Sequence, residues 1–226
     1  MTPSDADAVR VWDFPTRLFH WTLAAAVAGS VTSAKIGGAA MVWHFRLGYL
    51  VFGLLLFRLV WGLMGGRWSR FSSFLYGPGA LMRYLRGEPR AGERFDVGHN
   101  PLGALSVFAL LLVLVVQVAT GLVGDDEIAS VGPLNRFVAT ATGLAATAWH
   151  KHWGQWLLLG LVALHLSAIA FYAWRRHNLI AAMVHGDKAL PADVPASVDD
   201  ASARLRALAV AAACALAVWL VVRLGG

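Results

Sequence analysis

Five histidines lie in or beside strongly apolar stretches of this 226-residue chain: His20, His44, His150, His152 and His165. Imidazole titrates near neutral pH, relays protons and ligates metals, and placing it among apolar groups is costly enough to make each one a functional candidate. For any single one, an interfacial or satisfied core histidine is an equally good account. The spacing carries more than the count. His150 precedes His165 by fifteen positions, roughly 22 Å along a helix. Arg58 follows His44 by fourteen, about 21 Å along and about 40° around, and a guanidinium so placed needs an anion nearby.

The elements that must carry these residues are membrane helices. Only 14% of the residues are charged and the mean hydropathy is +0.60, more apolar surface than a water-soluble chain of this length hides. Five stretches approach the roughly 20 residues that cross a bilayer core: Leu18 to Ile36, Val42 to Met64, Leu102 to Val123, Ala146 to Trp174 and Leu205 to Leu224. All five are expected to be helices, since a lone strand in lipid leaves its backbone unpaired.

The net charge of +6 follows topology and forms no soluble basic patch, so no nucleic acid is expected. Arg10, Arg17, the basic 65–100 segment and Arg175, Arg176 and Lys188 fall on one side of the five stretches, which the positive-inside rule makes cytoplasmic. Lys35, Arg46, Arg136, Lys151 and the acidic Asp125, Asp126 and Glu127 fall on the other. Several of the ten Trp suit interfacial belts.

This topology sorts the histidines by depth. His20 and His165 fall near the cytoplasmic face, and His44 falls at the depth of His150 or His152 near the outer face. Two imidazoles at each level suit haem b, whose iron takes one ligand from either side of the porphyrin. Zinc wants three or four ligands at one level. Measured against His165, His150 is about 60° out of phase and His152 about 140°, which favours His150. His152 remains the alternative ligand, with a propionate contact, a partner contact and a plain interfacial role open to it. Arg58 falls near the cytoplasmic pair, where a propionate would neutralise it. Arg17 and Arg46 suit the same task, with ordinary snorkelling to the interface the simpler account.

Residues 1–16 form a polar arm in which Pro15 and Thr16 open the first helix. Gly37 and Gly38 predict a tight turn. The 65–100 segment holds a short amphipathic piece, Ala80 to Leu85, suited to the membrane surface, and its basic residues suit either a docking face or topology alone. An outside loop is expected over 124–146 and a flexible connection over 175–204. The first apolar run is expected to be a retained helix and not a cleaved signal. Cys214 is the single cysteine, so neither a disulfide nor thioether-linked haem is expected.

The motifs resemble a known family. Val11 to Trp21, the run VWDFPTRLFHW, resembles the opening of the bacterial cytochrome b561 and nickel-iron hydrogenase cytochrome b superfamily. The runs WHFRLGY from Trp43 and FRLVWG from Phe57 resemble its second helix. GHNPLG from Gly98 resembles the entry to its third, and Asn178-Leu179 with Met183 to Gly186 the segment after its fourth. The resemblance covers roughly residues 9–187. It implies two non-covalent haems b and transmembrane electron transfer, with His20, His44, His165 and a histidine at the start of helix four as ligands. That last histidine usually stands fourteen positions before the counterpart of His165, where this chain has Lys151 between His150 and His152. His99, within a family motif, is expected to cap, meet a propionate or bind at the surface, and not to be an axial ligand.

The expected architecture is an all-α membrane protein. A four-helix transmembrane haem-binding bundle (residues 1–187) is followed by a cytoplasmic linker (188–204) and an extra C-terminal transmembrane helix (205–226). It would lie in a bacterial inner membrane with its N-terminus cytoplasmic and its C-terminus periplasmic. Such a protein carries electrons between a redox partner (a c-type cytochrome, a hydrogenase or a dehydrogenase) and quinone or another carrier. It acts as a subunit of an oxidoreductase complex, and a homo-oligomer is compatible. The rival from another class is a proton or metal transporter, which would extend polar residues along a pore and show repeat-related topology; the sequence has neither.

Overall fold

Proline and side-chain caps set where several of the helices begin. Pro15 is the second residue of α1 (Phe14–Ile36), and Asp13 before it caps the first turn by accepting the Thr16 amide at 2.8 Å. After α2 (Met41–Met64), Pro78 opens the short α3 (Pro78–Arg86) and Pro101 opens α4 (Pro101–Val123), whose first turn is capped by Asn100 through the Gly103 amide at 2.8 Å. Helix α5 (Thr140–Ala148) passes through a π-helical turn, Trp149–Gly154, into α6 (Gln155–Trp174). Helices α7 (Leu179–His185) and α8 (Ala201–Gly225) follow. The structure, a computed structural model, describes residues 6–128 and 130–225.

Four helical stretches are long and apolar enough to cross a membrane: Gly38–Met64, Pro101–Val123, Thr140–Trp174 and Ala201–Gly225. Only 6% of the most apolar window in Thr140–Trp174 is buried within the protein. A surface so apolar and so exposed is stable against lipid and not against water. The first expected span also forms a helix, the 23-residue α1, but Ser30, Thr32, Ser33 and Lys35 dilute its apolar character, and it is not one of the four.

Three loop expectations need correction. The 124–146 segment is not all loop, because α5 already starts at Thr140. The 175–204 connection is folded. Asn178 caps α7 by accepting the Ala181 amide at 3.0 Å, Gly186 ends it at a φ of +95°, and β2 (Asp187–Pro191) follows. Of the expected polar arm, residues 1–5 lie outside the described residues, and the rest is no arm: β1 (Ala6–Arg10) pairs antiparallel with β2, with Arg10 opposite Asp187 and Val9 opposite Lys188. The turn at Gly37 and Gly38 is as expected, with φ values of +70° and +52° that only glycine adopts at little cost. Helix α3 covers the expected amphipathic piece and stops at Gly87, also left-handed.

The chain divides into two compact units, each with its own core. The first takes residues up to 18, 58–108 and 164–208; its core joins Val9, Val11 and Trp12 to Val97, Ala182, Leu190 and Val194. The second takes residues 19–57, 109–163 and those from 209 on; its core joins Ala26, Val51, Leu55, Leu114 and Leu158.

Candidate cofactor site

Within the second unit, two of the five histidines meet. His44 is the fourth residue of α2 and His150 lies in the π turn ahead of α6. Their ring centroids are 5.8 Å apart and their planes nearly perpendicular, at 89°. Two imidazole nitrogens each about 2 Å from one metal put ring centroids roughly 6 Å apart, and the observed gap is of that size.

Both rings are oriented by backbone carbonyls. The Nδ1 of His44 lies 3.0 Å from the Ser30 carbonyl and 3.0 Å from its hydroxyl. The Nδ1 of His150 lies 2.9 Å from the Gln117 carbonyl, with the Thr120 hydroxyl at 3.3 Å. A carbonyl only accepts, so each Nδ1 carries the proton and each neutral ring keeps a bare Nε2 lone pair. Imidazoles that ligate metals are held in this way.

A cavity of about 610 Å³ adjoins the pair, within the range of roughly 300–1,000 Å³ typical of cofactor pockets. Val27, Leu114, Val118 and Leu158 line it with apolar surface, while Lys35, Asp126 and Lys151 supply charge. Gly48 borders open space, and a Cβ on Gly121 would come within 3.3 Å of the His150 ring. The lining is thus mainly apolar with a few charges, and the donor set, two bare Nε2 atoms, fits haem b bound without thioethers. Among the described residues no cluster of three or more His, Cys, Asp or Glu is arranged to hold a metal ion.

The other candidates are placed as follows. His152 is exposed and lines the same cavity. His20, half-buried on α1, meets Trp21 edge-on at 5.1 Å in the second unit. His165 is half-buried on α6 in the first. Arg46 is exposed with its guanidinium 5.2 Å from the Trp43 ring. Arg17 donates to the Val184 carbonyl and lies 3.9 Å from Asp199. Arg58 is buried, donates to the Ser69 carbonyl at 2.9 Å, sits 4.6 Å from the Phe71 ring and feels the charge of Asp13. The protein thus supplies Arg58 with its own anion. His99 packs between Trp12 at 4.7 Å and Phe74 at 4.5 Å, while the cap of α4 comes from its neighbour Asn100.

Sequence reasoning passed over Ser30, Gln117 and Thr120, the residues that aim the two rings. A signal existed, since Gln117 and Thr120 are polar residues inside an otherwise apolar helix. It also passed over Asp13, wholly buried in the first unit.

The model of the prokaryotic cytochrome b561 family matches residues 11–186. Among curated proteins, the chain is 24% identical to the probable Ni/Fe-hydrogenase 1 B-type cytochrome subunit of Escherichia coli K12, over 78% of this chain and 88% of that one. It is 28% identical to the probable Ni/Fe-hydrogenase B-type cytochrome subunit of Azotobacter vinelandii, over 83% and 91%. The corresponding protein of Cupriavidus necator is 26% identical, over 79% and 86%. No solved structure matches the chain. With its apolar helices and a histidine pair suited to haem iron, the chain belongs to the prokaryotic cytochrome b561 family and is a multi-pass membrane b-type cytochrome of electron transport.

Proposed function

We propose that the protein binds two haems b without covalent links and carries electrons through the membrane between a redox protein and quinone or another carrier. The outer haem is held by His44 and His150. The observation that carries this is the facing pair of rings, 5.8 Å apart, with both Nδ1 atoms committed to carbonyls. His20 and His165 hold the second haem. That assignment is supported by the sequence motifs around His20 and by membership of the family.

Haem iron supplies reversible one-electron chemistry at a potential set by its ligands and surroundings. The chain's own residues do the rest. Ser30 and Gln117 fix the ring tautomers, and the apolar wall of Val27, Leu114, Val118 and Leu158 excludes water and lowers the local dielectric. Lys35 and Lys151 offer positive charge to the propionates. The relatives are named as cytochrome subunits of nickel-iron hydrogenases, which makes a hydrogenase the first partner to test, ahead of a dehydrogenase or a c-type cytochrome. Helix α1 completes the set of spans, in a bacterial inner membrane with the basic segments facing the cytoplasm.

Single alanine variants test the ligand assignment by haem stoichiometry in purified protein. His44→Ala and His150→Ala should each lose the same haem, His20→Ala and His165→Ala the other, and His152→Ala neither. Loss of a haem from His152→Ala with retention of both in His150→Ala would reverse the outer assignment.

A further inference from the structure

A π turn absorbs one more residue than an α turn and breaks the regular backbone ladder, so it needs outside support and is found mostly where function requires it. In this chain the π turn Trp149–Gly154 contains both His150 and His152. Only His150 faces His44, and the residue that touches it at two points is Gln117 of α4.

Gln117 grips His150 at both ends. Its main-chain carbonyl accepts from the ring Nδ1 at 2.9 Å, and its side-chain Nε2 donates to the His150 carbonyl at 3.3 Å. The side chain is buried in a helix that is otherwise almost wholly apolar. Its Oε1 reaches in against Gly154, where a Cβ would stand only 1.9 Å from that oxygen. Gly154 thus provides the space into which the amide fits. Burying a carboxamide costs free energy unless it is used, and here its donor end is used on the ligand's own peptide, while its Oε1 accepts no hydrogen bond among the described residues.

We infer that Gln117, seated against Gly154, is the positioning residue that stabilises the π turn with His150 aimed at the outer haem, and that it thereby sets how tightly that haem is held and at what potential. The inference rests on the outer-haem assignment proposed above. Without the amide, the main-chain acceptor for Nδ1 remains, but the peptide of His150 is no longer tied to α4. The turn is then free to relax toward α geometry, which rotates His150 out of line and brings His152 into competition.

The test uses the full-length haem-loaded protein in detergent. Gln117→Met keeps the volume and removes the donor, Gln117→Leu keeps a buried side chain and removes the donor, and Gly154→Ala leaves Gln117 intact but forces its amide away. Each should retain the inner haem and weaken retention of the outer one about tenfold or more, the usual range for groups that orient a metal ligand. Each should also shift the outer haem's redox titration and its low-temperature EPR signal while the inner haem's stay in place, a change that a loss of general stability would not confine to one haem. Unchanged outer-haem affinity, potential and EPR signal in all three would overturn the inference, as would equal loss of both haems. His150→Ala, run alongside, separates the two failures: if it keeps both haems, the outer-haem assignment is what has fallen, and if it loses one while the Gln117 and Gly154 variants are normal, only the role of Gln117 has.

Discussion

Asp13 is fully buried yet accepts four hydrogen bonds: from the Thr16 amide at 2.8 Å, Trp61 Nε1 at 3.1 Å, the Gly66 amide at 3.1 Å and the Ser69 hydroxyl at 2.6 Å. Arg58 supplies a positive charge to the same cluster. A carboxylate with this many donors is stable in the dry interior only while all of them remain, and removing it leaves a buried guanidinium uncompensated. Asp13→Ala is therefore expected to cost about 3–5 kcal/mol, read as a large drop in thermal midpoint in detergent; an unchanged midpoint would show that the cluster is not structural. In the sequence, Asp13 stood in a segment that looked like a polar arm. Its neighbours in the fold come from residues 61, 66 and 69, and no local pattern announces such a convergence. The histidines were easier, because a polar ring in an apolar run is conspicuous alone, whereas the serine and glutamine that aim the rings matter only through where α1 and α4 lie.

At the scale of elements, hydrophobic runs gave the long helices and their C-terminal ends to within a residue, while three of them begin several residues earlier than the apolar runs do. Lipid imposes one solution on a long apolar segment but not on its polar lead-in. The sheet was invisible: β1 and β2 are five-residue strands whose partners lie about 180 positions apart, Val9 with Lys188 and Arg10 with Asp187. The π turn escaped for a related reason. Angular phase assumes a regular helix, and an extra residue within one turn resets it. Gly186 links α7 to β2 at a φ of +95°, and a Cβ there would lie 2.7 Å from the Trp12 carbonyl. Gly186→Ala should cost roughly 1–3 kcal/mol by forcing a left-handed residue into contact with backbone, measurable as faster proteolysis of the 186–199 segment; wild-type resistance would contradict it. Near α3, Arg83 and the Arg90 amide hold the Glu93 carboxyl down at about 2 from 4.5. A depressed carboxylate contributes stability above its unfolded value, and that contribution fades as pH falls from about 4.5 toward 2. Amide exchange around residues 87–94, corrected for intrinsic rates, should therefore rise across that window in the wild type and already be high in Glu93→Gln; a flat profile in the wild type would exclude the tie.

For the whole molecule, the exposed apolar helices and the ring pair answer one another: the helices call for lipid, and lipid gives the dry surroundings that suit a pair of neutral imidazoles offered to haem iron. The account stands or falls on the iron. Dithionite-reduced minus oxidised spectra of the purified protein, with haem extracted and quantified per chain, test it most directly. The account predicts a b-type spectrum with acid-acetone-extractable haem at two per chain. A preparation that is folded, colourless and unable to take up added haem would contradict it.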